Sequence, residues 1–162
     1  MNKLYVITGP AGVGKSTISN KLGEKLEKSV VIDGDVIYNF FVGGKIKPWN
    51  PNAPLQLFWN NCFYLIETYL KNGYDVVFNY IIYNEELELI KKKFNKYNVI
   101  FKCLLVDEDT ILKRDLLRPI DCQMHERCIV LLNEFIECNY GDKYIIDSSN
   151  LTIEETVDKI LN

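Results

Sequence analysis

The chain has one histidine, His125, among 162 residues. A lone imidazole excludes a His-based metal cluster and a Ser-His-Asp triad; His125 falls in a helical stretch and is given no role. Cysteine is limited to Cys62, Cys103, Cys122, Cys128 and Cys138, an odd number with no C-x-x-C pair. That argues against a zinc site or a disulfide framework and leaves reduced, mostly buried thiols. No run reaches the roughly 18 consecutive apolar residues of a membrane helix. The apolar stretch Leu4-Tyr5-Val6-Ile7 is too short for a secretory segment before it meets glycine. A cytoplasmic protein without membrane contact is therefore expected. Repeats, low-complexity tracts and linkers are absent too, so residues 1–162 read as a single domain, monomeric or homodimeric.

Positive charge is also scarce. The net charge is −3 and the isoelectric point about 5.3, which disfavours duplex nucleic acid as a partner without excluding it. The imbalance is uneven. Residues 1–50 hold seven lysines against four acids and are positive, while the remainder is negative.

What is present alternates between two periods. Short β-branched or aromatic runs at Lys3–Thr8, Val30–Asp33, Asp75–Asn79, Val99–Val106 and Tyr144–Asp147 read as strands. Between them, helical spacing runs to about Lys28, from Val36 to Val42, from Leu55 to Lys71 and from Glu85 to Lys96. It resumes over Asp109–Leu117 and Gln123–Cys138, and again after Thr152, where Glu155 completes a capping box. Gly43–Pro54, with two Gly and three Pro, is the longest loop signal. Strands alternating with helices predict an α/β fold with a five-stranded parallel sheet between two helical layers.

The sharpest motif is Gly9-Pro10-Ala11-Gly12-Val13-Gly14-Lys15-Ser16, a full match to G-x-x-x-x-G-K-S/T between a strand and a helix. Its successive amides suit an anion nest reinforced by the positive end of the following helix. Lys15 can reach the β- and γ-phosphates of a nucleoside triphosphate, and Ser16 can offer its hydroxyl to Mg²⁺. This loop alone does not separate kinase, GTPase, ATPase and binding module. A GTPase is disfavoured because Asn95-Lys96-Tyr97-Asn98 misses the guanine motif N-K-x-D at its last position.

Two further segments narrow the reading. Asp33-Gly34-Asp35 ends the second strand, at the sheet edge where ligands of parallel sheets bind. One of these acids can take the proton of an acceptor hydroxyl or help hold Mg²⁺, with Asp35 preferred as base and Asp33 for the metal. A turn acid and a helix cap are the plainer alternative. Arg114 and Arg118 share a helix face and can embrace phosphates or stack on a base, unless they pair with Asp115 and Glu108 on a solvated face.

The P-loop through Ser16-Thr17, the D-G-D turn about twenty residues on and the K-R-x-x-x-R run before a helix together resemble the small P-loop kinases. These are the gluconate kinase-like, adenylylsulfate kinase-like and chloramphenicol phosphotransferase-like proteins and the kinase domain of polynucleotide kinases. The resemblance covers nearly the whole chain in layout. It implies a P-loop NTPase fold of the nucleoside-kinase type, ATP and Mg²⁺ as cofactors, and transfer of a phosphoryl group to the hydroxyl of a small molecule. It makes Lys15, Asp35 and Arg118 the expected catalytic residues, and Ser16 and Asp33 the expected metal residues. Gly9 to Thr17, Arg114 and Arg118 become nucleotide contacts, with a lid over about residues 109–127 and Asp147-Ser148-Ser149-Asn150 near the base. Two departures stand out: Asn79 occupies a position where many P-loop proteins carry an acid, and Tyr38 and Asn39 stand where some relatives carry an arginine for an anionic acceptor.

Lys45, Lys47, Trp49 and Asn50 in the Gly/Pro-rich loop, and Trp59, Asn60, Asn61 and Tyr83, are lesser candidates for the acceptor pocket, with packing or solvation the plainer alternative for each. Lys91-Lys92-Lys93 reads as a solvated helix face. The competing functions are a polynucleotide 5′-hydroxyl kinase and a non-enzymatic nucleotide-binding module or slow NTPase.

Overall fold

A computed structural model describes residues 2–120 and 123–162; Cys122, read above as a buried thiol, lies outside them, as does Asp121. Five parallel strands, β1 (Lys3–Thr8), β2 (Ser29–Asp33), β3 (Asp75–Asn79), β4 (Asn98–Leu105) and β5 (Ile145–Asp147), form one sheet in the order β2-β3-β1-β4-β5. The helices are α1 (Lys15–Lys25), α2 (Gly34–Tyr38), α3 (Leu55–Lys71), α4 (Asn84–Lys93), α5 (Glu108–Leu116), α6 (Arg127–Glu137) and α7 (Ile153–Leu161).

The strand period of two divides the core. Leu4, Val6, Val76 and Phe78 point to one face, where α3 and α4 lay down Phe58, Cys62, Ile66, Leu70, Leu87 and Ile90. Tyr5, Ile7 and Val77 point to the other, against Leu22 of α1, Leu132 of α6 and Val157 and Ile160 of α7. Each large apolar side chain so covered contributes about 1.5–3 kcal/mol. Cys62, Cys103 and Cys128 are buried within this core as free thiols, and Cys138 is partly covered.

The sheet places the site. β1 is central, flanked by β3 and β4, and the chain crosses from one side of it to the other. A crevice opens where the strand order reverses, beyond the carboxyl ends of the strands. Asp33 of β2 pairs in register with Asn79 of β3, which pairs with Ile7 of β1, so the ends of all three strands lie side by side at this edge.

Several helix limits differ from the sequence expectation for local reasons. α1 stops at Lys25 rather than near Lys28, because Leu26 is extended and Ser29 donates its hydroxyl hydrogen bond to the Gly23 carbonyl (2.7 Å). α2 runs from Gly34 only to Tyr38, capped by Asp33, whose carboxylate accepts from the Asp35 amide (2.9 Å). α6 begins at Arg127 rather than Gln123. Asp115 captures the Met124 and His125 amides, and His125 sits at φ 49°, outside helical geometry.

Candidate nucleotide and acceptor site

The turn after β1 requires glycine at its first position. Gly9 has φ 142°, and any β-carbon there would overlap the Leu104 carbonyl of the neighbouring strand. α1 then starts at Lys15 with Gly14 left-handed (φ 101°), and its first amides have no acceptor within the helix, so they face the loop. Lys15 arches back over this loop and donates through Nζ to the carbonyls of Gly9 (2.9 Å) and Pro10 (3.0 Å). Burial lowers the Lys15 pKa to about 8, against the opposing pull of Asp35 and Asp33.

Ser16 and Asp33 are joined: the Ser16 hydroxyl donates to Asp33 Oδ2 at 2.7 Å. The other oxygen, Oδ1, takes the Asp35 amide, so one carboxylate ties the P-loop helix to the start of α2. This approach depends on Gly34, where a β-carbon would run into the Tyr80 ring. Asp35 stands at the exposed rim. The surrounding protein raises its carboxyl pKa by desolvation and Lys15 opposes that; Asp33 adds to it, while Arg118 and Lys45 counter it. Solvent at the rim moderates the push, and the direction is what matters: three cations and one neighbouring acid converge on Asp35.

Arg114 and Arg118 do different things. Arg114 Nη1 donates to the Val13 carbonyl (2.8 Å) and Nη2 to the Ser148 carbonyl (3.1 Å), riveting the P-loop to the segment after β5. That segment is itself ordered: Asp147 Oδ1 accepts from the Ser149 amide and hydroxyl, and Ser149 Oγ accepts from the Asp107 amide. Asp147 to Asn150 thus lies beside the P-loop. Arg118 donates to Asp115 Oδ1 at 3.2 Å, with about a third of its side chain exposed.

Asp115 is not on a solvated face. It is 1% exposed, one helical turn after the buried Ile111, and accepts from the amides of Met124 (2.9 Å) and His125 (2.8 Å) as well as from Arg118. Burial pushes its carboxyl pKa up, but the His125 and Met124 amides, the Cys128 thiol and Arg118 outweigh that and hold it below the ordinary value. The sequence reading missed this role. The signal lay in the i, i+4 spacing from Ile111, which puts Asp115 on the buried stripe.

The lesser candidates separate. Trp59 packs on Phe58, Phe63, Phe78 and Tyr80 and belongs to the core. Tyr83 stacks on Phe135 and donates to Glu134 (2.7 Å), while Asn60 and Asn61 are exposed. Lys45 donates to the Asn39 side chain, and Asn50 closes the turn beneath Trp49 by accepting the Asn52 amide. Trp49 carries two cations against its ring: the Arg127 guanidinium at 4.7 Å from the centroid and Lys47 Nζ at 5.1 Å. Arg127 escaped the sequence reading, although the chain has only three arginines, at 114, 118 and 127, all within fourteen residues.

The donor set suits a hard cation in part. Ser16 and Asp33 offer oxygen, as Mg²⁺ requires. Among the described residues, no group of three or more His, Cys, Asp or Glu side chains is placed to hold a metal by itself, so Ser16 and Asp33 could hold one only together with ligands from outside the protein. Asn79 is 2% exposed, and its amide nitrogen has no partner among the described residues.

No protein-family model matches the chain. Solved structures do share its architecture. The tunicamycin resistance protein of Deinococcus radiodurans superposes with a TM-score of 0.69 at 17% identity, over 99% of this chain and 94% of that one. A gluconokinase from Sinorhizobium meliloti gives 0.70 at 16% identity, over 98% and 89%. A shikimate kinase from Bacteroides thetaiotaomicron gives 0.59 at 18% identity, over 98% and 96%. The fold is that of the small P-loop kinases. Among the described residues no helix is long and apolar enough to cross a membrane.

Proposed function

We propose that the chain transfers the γ-phosphate of Mg·ATP to a hydroxyl group of a small molecule. The observation that carries this reading is the Ser16–Asp33–Asp35 linkage beside Lys15: one sheet edge joins a phosphate cradle to a carboxylate facing open solvent. A binding module needs the cradle but has no use for a second acid held at its rim. The named gluconokinase and shikimate kinase, which share the fold, support a small-molecule acceptor.

The chain's own groups define the steps. Lys15 exchanges the Gly9 and Pro10 carbonyls for phosphate oxygens, whose negative charge raises its pKa again and holds its proton more firmly. Ser16 and Asp33 would hold Mg²⁺, which when bound would supply charge neutralisation on the phosphates. Asp35 accepts the acceptor's hydroxyl proton as that oxygen bonds to the γ-phosphorus and the bond to the β-phosphate bridging oxygen breaks. Arg118 releases Asp115 and meets the charge developing on the transferred group, while Arg114 keeps the P-loop in place. These roles act together with a single catalytic unit over residues 1–162.

The test is incorporation of label from γ-labelled ATP into a panel of small alcohols, with a 5′-hydroxyl oligonucleotide as a separate arm. Labelling of a small alcohol supports the proposal. Labelling of the oligonucleotide alone replaces it with a polynucleotide kinase, and tight ATP binding without any labelled acceptor replaces it with a binding module.

A further inference from the structure

The loop after α2 and the turn before α6 are far apart in sequence, yet Trp49 joins them. Trp49 sits inside the first of two consecutive turns, closed by the Asn50 amide donating to the Lys47 carbonyl and the Ala53 amide to the Asn50 carbonyl (both 2.9 Å). The loop is anchored at its other end by Tyr38, a buried residue of α2 whose hydroxyl donates to the Ile46 carbonyl (2.7 Å). The indole is 56% exposed and is held against Arg127 and Lys47 instead of the core. A solvent-exposed indole face attracts a guanidinium only weakly, enough to bias a loop and too little to lock it.

From Arg127 the contacts run straight to the site. The Arg127 amide donates to the Met124 carbonyl (3.0 Å), and the Met124 and His125 amides donate to Asp115. Asp115 in turn holds Arg118, which acts on Asp35 and Lys15. One turn of chain therefore connects the ring of Trp49 to Arg118. Each link is a side chain or amide with a specific partner, and Arg118, about a third exposed, is held on Asp115 by one hydrogen bond of 3.2 Å.

We infer that Trp49 and Arg127 form a latch that couples the acceptor-side loop to the position of Arg118. When Arg118 leaves Asp115 for the phosphates, the turn at residues 123–127 shifts and Arg127 changes its position over the indole it now faces. Conversely, a molecule seated under the loop stabilises the arrangement in which Arg118 faces the phosphates. Arg127 is thus a positioning residue, acting through the turn and Asp115. The inference rests on the nucleotide-binding part of the reading above, and not on the identity of the acceptor.

The experiment uses the full chain carrying Trp59→Phe, which leaves Trp49 as its one tryptophan. Its emission is titrated with Mg·AMP-PNP, and binding is measured in parallel by calorimetry. The latch predicts a saturable change in Trp49 emission with the calorimetric midpoint. Arg127→Ala should abolish the change while nucleotide affinity moves less than about threefold. Arg127→Met, which keeps the stem without the charge, should behave alike, and Arg127→Lys should restore part of the signal. An emission blind to a nucleotide that calorimetry sees bind overturns the latch alone, as does a change that survives Arg127→Ala. Absence of calorimetric binding overturns the nucleotide reading and the latch with it.

Discussion

Lys15 carries the most informative titration in the molecule. Its pKa near 8 in the free protein must rise when phosphates replace the Gly9 and Pro10 carbonyls as partners. A group whose pKa rises on binding contributes fully below its free value, and that contribution fades as pH climbs through it. Mg·ATP affinity should therefore be flat below about pH 8 and weaken by up to about tenfold per unit above it. Calorimetry from pH 6.5 to 9.5 checks this, and Lys15→Met should bind weakly with no such slope. Ser16 gives a second residue-scale expectation. Without its hydroxyl the metal loses a protein ligand, so Ser16→Ala should cut the difference between ATP affinities measured with Mg²⁺ and with EDTA by about tenfold, or 1.4 kcal/mol. At this scale the sequence set Lys15 and Ser16 on one motif and Asp33 and Asp35 at the end of one strand, and the structure brings Ser16 and Asp33 into contact. Arg127 was opaque, since its partner, Trp49, lies 78 positions away and no local spacing announces such a contact.

The elements that place these residues depend on a few close approaches. α2 can begin directly at Asp33 only because Gly34 lets the Tyr80 ring lie against the backbone. Gly34→Ala should destabilise the fold by about 1–3 kcal/mol through overpacking, read as a lower urea midpoint, and should reduce phosphate transfer by displacing Asp35. The turn between α5 and α6 rests on Asp115. Replacing it with Ala leaves two partly buried amides without their carboxylate partner and frees Arg118, at a cost of about 1–3 kcal/mol. Hydrogen exchange at Met124 and His125 should accelerate more than at the β1 amides. The sequence pattern placed every strand and nearly every helix within a few residues, because strand and helix periods are strong in α3, α4 and β1. Its errors fall at ends, where side chains such as Asp33, Asp115 and Ser29 seize backbone groups that an intrinsic helix would keep.

The whole molecule arranges these elements by one topological fact: β1 lies at the centre of a parallel sheet whose order reverses around it. The P-loop, the end of β2 and the segment after β5 all reach the same edge, so a phosphate cradle, an acid pair and an arginine bridge meet without a long loop between them. Alternating strands and helices made the architecture legible from sequence, since right-handed crossovers leave a parallel sheet little freedom. The acceptor was not legible, because on the proposed reading its surroundings come from the loop at residues 43–54 and the turn before α6, whose contacts are made in three dimensions.

The central claim is that Asp35 serves transfer rather than nucleotide binding, and one paired measurement addresses it. Wild type and Asp35→Asn are compared for Mg·ATP affinity by calorimetry and for label transfer to the acceptor found in the alcohol panel. The account predicts transfer lower by about 10²–10⁴-fold with ATP affinity within about threefold of wild type. Equal loss of both, or transfer that survives the substitution, would contradict it.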